Sequence, residues 1–166
     1  HMKPVSRLAN CPPSNECRGP PGDDLHAHEY KIVILIIFGY IVGVVSNKKT
    51  VPSIYPESKI FQNMPDVFAT GFLVAFLEWT CVELIHPYLD NDKFVSLGTK
   101  VNFSHLLPTP VGLTVKSTSL LTEKKNNRLK FFCYAYDKEG KISEGDHERV
   151  IVERDWFEKK IQKKSN

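Results

Sequence analysis

Residues 67–82 read VFATGFLVAFLEWTCV, an almost wholly apolar run in which Glu78 is the one formally charged side chain. A helix that is apolar on every side has no face to offer water and has to be buried. A carboxylate inside it is costly unless it is paired, hydrogen-bonded or protonated. Packing alone does not ask for that cost. Glu78 is therefore the first candidate for chemistry, against the plainer reading of a carboxylate satisfied by a nearby donor.

The run predicts a buried helix from about Thr70 to His86, stopped by Pro87. Ahead of it, Val51 to Asp66 carries Pro52, Pro56 and Pro65 and reads as a loop with at most short helical turns. Behind it come four strand-like segments. Val95, Leu97, Thr99, Val101 and Phe103 alternate with polar or small residues, as do Val111, Leu113 and Val115. Leu129 to Tyr136 follows a turn at Lys125-Asn126-Asn127, and a last strand is centred on Val150 to Val152, after a turn at Asp137 to Gly140. Asp155 opens a short C-terminal helix.

Residues 1–38 read as a proline-rich N-terminal arm ending in an apolar segment, 39–157 as one domain and 158–166 as a basic tail. The run Ile32 to Val45 is short for a membrane span, which needs about 20 apolar residues. Its β-branched content favours a buried strand, or two broken at Gly39 or Gly43, over a membrane anchor. Cys81 and Cys133 lie in apolar surroundings as small buried hydrophobes, while Cys11 and Cys17 could pair. His26 and His28 lack further ligands, so no metal is expected. A net charge of +3, without zinc-finger spacing or a basic stripe interleaved with aromatics, argues against a nucleic-acid partner. With no convincing signal peptide, the expected location is cytoplasmic. The whole is α+β, one sheet with one long helix against it. A helix apolar all round suggests that the sheet wraps it, with a homodimer covering the remaining edge and flank.

Four stretches carry a family resemblance: TVPSIYPES (50–58), MPDVFATGFLVAFLEWTCVE (64–83), VSLGTKVNFSHLLPTPVGLTV (95–115) and EGDHERVIV (144–152). They resemble the hotdog-fold acyl-CoA thioesterases of the fluoroacetyl-CoA thioesterase type, over roughly Gly43 to Phe157. The resemblance implies a curved antiparallel sheet wrapped around a long central helix, and hydrolysis of acyl-CoA with no metal or redox cofactor. It implies Thr70, Glu78 and His105 as the catalytic set, Gly98 as a strand glycine whose N–H faces the thioester carbonyl, and Arg149 as an arginine near the cofactor. Phe61 and Met64 occupy the loop where the family places its aromatic gate. Thioester hydrolysis carries over from the resemblance; the fluorinated substrate does not.

The residues themselves fit that chemistry in different degrees. An apolar shell would raise the pKa of Glu78, suiting it to act as base toward water or to attack the carbonyl. His105, at a strand end, titrates near working pH and can shuttle a proton, although a histidine there is often only structural. Thr70 could simply cap the helix. On a regular helix it would lie about 12 Å along the axis from Glu78 and about 80° around it. Gly98 could mark a strand kink, and Arg149 could pair with Glu148 or Glu153. His147 reads as a possible supporting group, and Glu83 belongs to a different helix face from Glu78. The expected function is hydrolysis of a short or compact acyl-CoA thioester; the alternative is a non-catalytic acyl-CoA-binding protein.

Overall fold

The computed structural model describes residues 37–165. Cys11, Cys17, His26, His28 and the apolar run before Ile37 lie outside the described residues. Five strands form one antiparallel sheet: β1 (Phe38–Val44), β2 (Phe94–Phe103), β3 (Thr114–Lys125), β4 (Arg128–Asp137) and β5 (Gly140–Glu153), in the order β1-β3-β4-β5-β2. Three α-helices accompany it: α1 (Lys59–Gln62), α2 (Thr70–Ile85) and α3 (Arg154–Ser165). This is the expected α+β layout, with α2 packed across β1, β2, β3 and β4.

Helix α2 buries Leu73, Phe76, Leu77, Thr80, Cys81, Leu84 and Ile85 against the sheet, where they meet Val115, Phe131, Cys133 and Ile142. Burial is nevertheless one-sided within a single chain. Gly71, Ala75, Trp79 and Glu83, spaced four apart, form an exposed ridge, and the Trp79 indole N–H donates to Glu83 Oε1 at 2.8 Å. The expectation of a helix buried all round is thus met on the sheet side only.

Strand β1 runs as one strand through Gly39 and Gly43, the first of the two expected forms, but it is not buried: its residues alternate between exposed and half-buried. A Cβ at Gly39 would come 3.1 Å from Leu84, and one at Gly43 would come 3.2 Å from Phe76. The glycines bring the strand close to α2 rather than interrupt it. β2 does not keep its predicted alternation, and Val101 is exposed. The cause is an irregularity between Gly98 and Lys100, where Thr99 drops out of register with β5. Val111 and Leu113 lie before β3, because Gly112 takes a left-handed φ of 88° in the turn that precedes it.

The two hairpin turns are where the sequence puts them. Lys125 pairs with Arg128 around Asn126-Asn127, and Asp137 pairs with Gly140 around Lys138-Glu139. Asn126 has a φ of 54°, a conformation asparagine tolerates. The C-terminal lysines Lys159, Lys160, Lys163 and Lys164 lie on α3, and Arg154 at its start is tied to the turn that precedes β2 by its N–H donating to Lys93 O.

Candidate active site

Glu78 leaves α2 toward β5 and meets a buried guanidinium there. Arg149 Nη1 donates to Glu78 Oε1 at 2.6 Å, with the carboxylate side chain 35% exposed and the arginine side chain 5%. The other arginine donors are also fixed: Nε to Ser96 Oγ at 3.1 Å and Nη2 to Ser96 O at 2.7 Å. The cost of placing a carboxylate in this helix is therefore met by pairing. The register makes this possible, because Gly98 on β2 lies opposite Arg149 on β5 and Ser96 lies two residues along. Gly98 itself faces the carboxylate, and a Cβ there would collide with Glu78 Oε1. Glu78 Oε2 makes no hydrogen bond among the described residues, so half of the carboxylate is open to a reactant.

His147 completes this cluster. It is fully buried on β5, its Nδ1 is 2.9 Å from Lys100 O, and its Nε2 lies 3.1 Å from Arg149 Nη1 and 3.6 Å from Glu78 Oε1. Burial pushes its pKa below the ordinary histidine value. The Lys100 carbonyl opposes that push, the Arg149 charge reinforces it, and Glu78 and Glu148 oppose it.

A second pair lies at the other end of α2. Thr70 is the first helical residue, and Ala69, not Thr70, is the N-cap. Its hydroxyl is free of capping duty and lies 2.9 Å from His105 Nδ1. His105 follows the end of β2, where Ser104 N–H and Leu106 N–H donate to Glu144 O and Ile142 O and hold the chain against β5. Burial lowers the His105 pKa, with the Leu107 backbone opposing. Its Nε2 is buried without a partner among the described residues.

The structure brings Thr70 to His105, and Glu78 to Arg149 and Gly98, but it leaves these two groups apart within one chain. Thr70 and Glu78 are both in regular helix, about 12 Å apart along the axis. Arg149 is buried, and its donors are directed at Glu78, Ser96 and His147 rather than at Glu148 or Glu153. Phe61 lies on α1 with its ring 5.3 Å from Tyr55, and Met64 is exposed in the turn that follows. An open groove of about 360 Å³ flanks this loop, lined by residues that include Asn47, Lys48, Gln62 and Asp66. Neither Ser96 nor His147 carries a local sequence signal of its contact with Arg149, which the fold alone creates. Among the described residues, no group of three or more His, Cys, Asp or Glu is placed to hold a metal ion.

The sequence model of a family described as fluoroacetyl-CoA-specific thioesterase matches residues 45–155. The fluoroacetyl-CoA thioesterase of Streptantibioticus cattleyicolor is 41% identical over 122 residues, 74% of this chain and 87% of that protein. A solved structure of a variant fluoroacetyl-CoA thioesterase in complex with acetyl-CoA superposes with a TM-score of 0.77 at 37% identity, covering 80% of this chain and 98% of that one. A hot-dog-like protein from Thermanaerovibrio acidaminovorans, 24% identical, shares the fold with a TM-score of 0.68, covering 80% of this chain and 93% of that one. The fold is the hotdog fold, and the activity is thioester hydrolysis. With both the family match and the identity spanning most of its length, the chain belongs to the fluoroacetyl-CoA-specific thioesterase family.

Proposed function

We propose that this thioester hydrolase acts as a homodimer on a short or compact acyl-CoA, releasing the free acid and CoA. Glu78, His105 and Thr70 are its catalytic groups. The observation that carries the reading is the divided carboxylate of Glu78, with Oε1 anchored on Arg149 and Oε2 open. In this scheme Oε2 takes a proton from water as the water oxygen bonds to the thioester carbon. The Gly98 N–H, with no side chain in the way, is offered to the oxygen that becomes negative. Collapse of the tetrahedral intermediate breaks the carbon–sulfur bond. The thiolate takes up the proton that Glu78 removed from water, relayed to it through solvent and the Thr70–His105 pair, so no net proton is gained or lost by the enzyme.

The dimer is supported by the exposed ridge on α2, by the unpaired outer edge of β2, and by the separation of Glu78 from the Thr70–His105 pair within one chain. Substrate held between two protomers would bridge that separation. A compact acyl group is supported by the relative whose structure holds acetyl-CoA. Phe61 and Met64 are assigned to the substrate side.

The test is free-thiol release from acetyl-, propionyl- and longer acyl-CoAs. Release should be fastest on the compact chains, and Glu78→Gln should stay folded while losing at least about 100-fold in turnover. Full activity in that variant rejects the mechanism. Tight binding with no release at any chain length would favour an acyl-CoA-binding protein instead.

A further inference from the structure

His147 is fully buried and touches the Glu78 cluster on two sides, yet the hydrolysis scheme gives it no task. Its surroundings fix its protonation. The Lys100 carbonyl can only accept, so the hydrogen at 2.9 Å belongs to Nδ1. A neutral ring protonated there presents a lone pair at Nε2. Arg149 Nη1 carries two hydrogens, and two acceptors stand before it: Glu78 Oε1 at 2.6 Å and His147 Nε2 at 3.1 Å. The remaining guanidinium contacts go to Ser96. With each Nη1 hydrogen directed at one acceptor, the guanidinium cannot rotate or slide along the carboxylate.

We propose that His147 is a positioning residue for hydrolysis: a neutral Nδ1–H imidazole that locks the Arg149 guanidinium so that Glu78 presents Oε2 to the reactants. The inference rests on the reading of Glu78 as the catalytic carboxylate. The charged groups around the ring are Glu78 from α2, and Arg149 and Glu148 from β5, while the rings of Phe103 on β2 and Phe131 on β4 lie 6.0 and 6.4 Å away. A protonated ring would turn its Nε2 from acceptor to donor, set a second cation against Arg149 and compete for Glu78 Oε1. The apolar flanks and the arginine charge both oppose that state.

His147→Asn keeps a donor near Lys100 O and removes the acceptor at Nε2; His147→Gln can reach the Nε2 position with its amide oxygen. In the whole 166-residue chain, with folding verified by circular dichroism, His147→Asn should lower kcat about 10- to 100-fold with little change in KM, the scale expected for a misplaced catalytic group. His147→Gln should recover part of it. In a Glu78→Gln background, His147→Asn should have almost no further effect, because both changes disable one unit. Structural damage would instead multiply with the Glu78→Gln loss. Should His147→Asn fail to fold, ¹⁵N-histidine spectra of the wild-type protein decide, and one imidazole should be in the neutral Nδ1–H form at neutral pH and stay so to lower pH than an exposed imidazole does. Wild-type kcat in His147→Asn, multiplicative losses, or an Nε2–H or doubly protonated ring would overturn the role of His147. Wild-type activity in Glu78→Gln alone would overturn the reading beneath it.

Discussion

Gly98 and Glu78 share a space that admits a methyl group only if the carboxylate moves: a Cβ on the strand residue would overlap Oε1 of the helix carboxylate where it stands. Glycine here does more than allow a strand irregularity, because it lets the carboxylate reach the guanidinium on the next strand. Gly98→Ala should displace Oε1 from Arg149 and lower kcat at least about 10-fold, with a stability loss of about 1–3 kcal/mol from overpacking. Steady-state thiol release beside a thermal melt checks both. An alanine variant with unchanged turnover would mean that the position of Oε1 is unimportant.

The Thr70 hydroxyl separates catalysis from stability. It lies at the exposed start of α2 and bonds to His105 instead of capping the helix. Thr70→Val should therefore change stability by no more than about 0.5 kcal/mol, as for an ordinary surface substitution. Turnover should fall by at least about 10-fold, and Thr70→Ser, which keeps the hydroxyl, should retain most of it. Equal activity in the valine and serine variants would remove the hydroxyl from the mechanism.

Acid should weaken this fold through its histidines. His105 and His147 are both held below the ordinary value of 6.5, chiefly by burial. Near and below pH 6.5 the unfolded chain takes up protons that the folded chain refuses, so stability falls as pH drops toward the folded-state values. Well above pH 6.5 both states carry neutral rings, and these two residues contribute no pH dependence. Urea denaturation across this range should show that slope, and His147→Gln should reduce it. An unaltered slope would mean that His147 binds protons equally in both states.

The helix that dominates the fold was legible because a long apolar run interrupted by a single carboxylate, ending at Pro87, leaves few alternatives. The hairpins were legible because Asn126-Asn127 and Asp137–Gly140 carry turn chemistry in their own sequence. The partner of Glu78 was not. Arg149 is 71 residues away and reaches the carboxylate only through the β2–β5 register, which Thr99 shifts by one residue. Ser96 looks like any other polar position on an alternating strand. Thr70 and His105 came from the family resemblance, and the contact between them depends on where the chain leaves β2.

The exposed ridge of α2 should be the heart of a dimer contact on which the chemistry depends. Gly71 and Ala75 are small enough for close approach by another backbone, Trp79 offers apolar surface, and Glu83 accepts the indole hydrogen instead of standing free. Among the described residues β2 has no neighbour on its outer side, an edge that needs pairing or cover. Ala75→Arg puts a charge into the middle of the ridge, and Ala75→Trp, bulky but uncharged and so unable to form an ion pair with Glu78 three residues on, repeats the test. Light scattering should find the wild-type protein dimeric and the variant monomeric, with thiol release lost in parallel. A monomeric Ala75→Arg protein that hydrolyses at the wild-type rate would mean that one chain closes the gap between Glu78 and the Thr70–His105 pair by itself. In that case the substrate alone would have to span the helix between them.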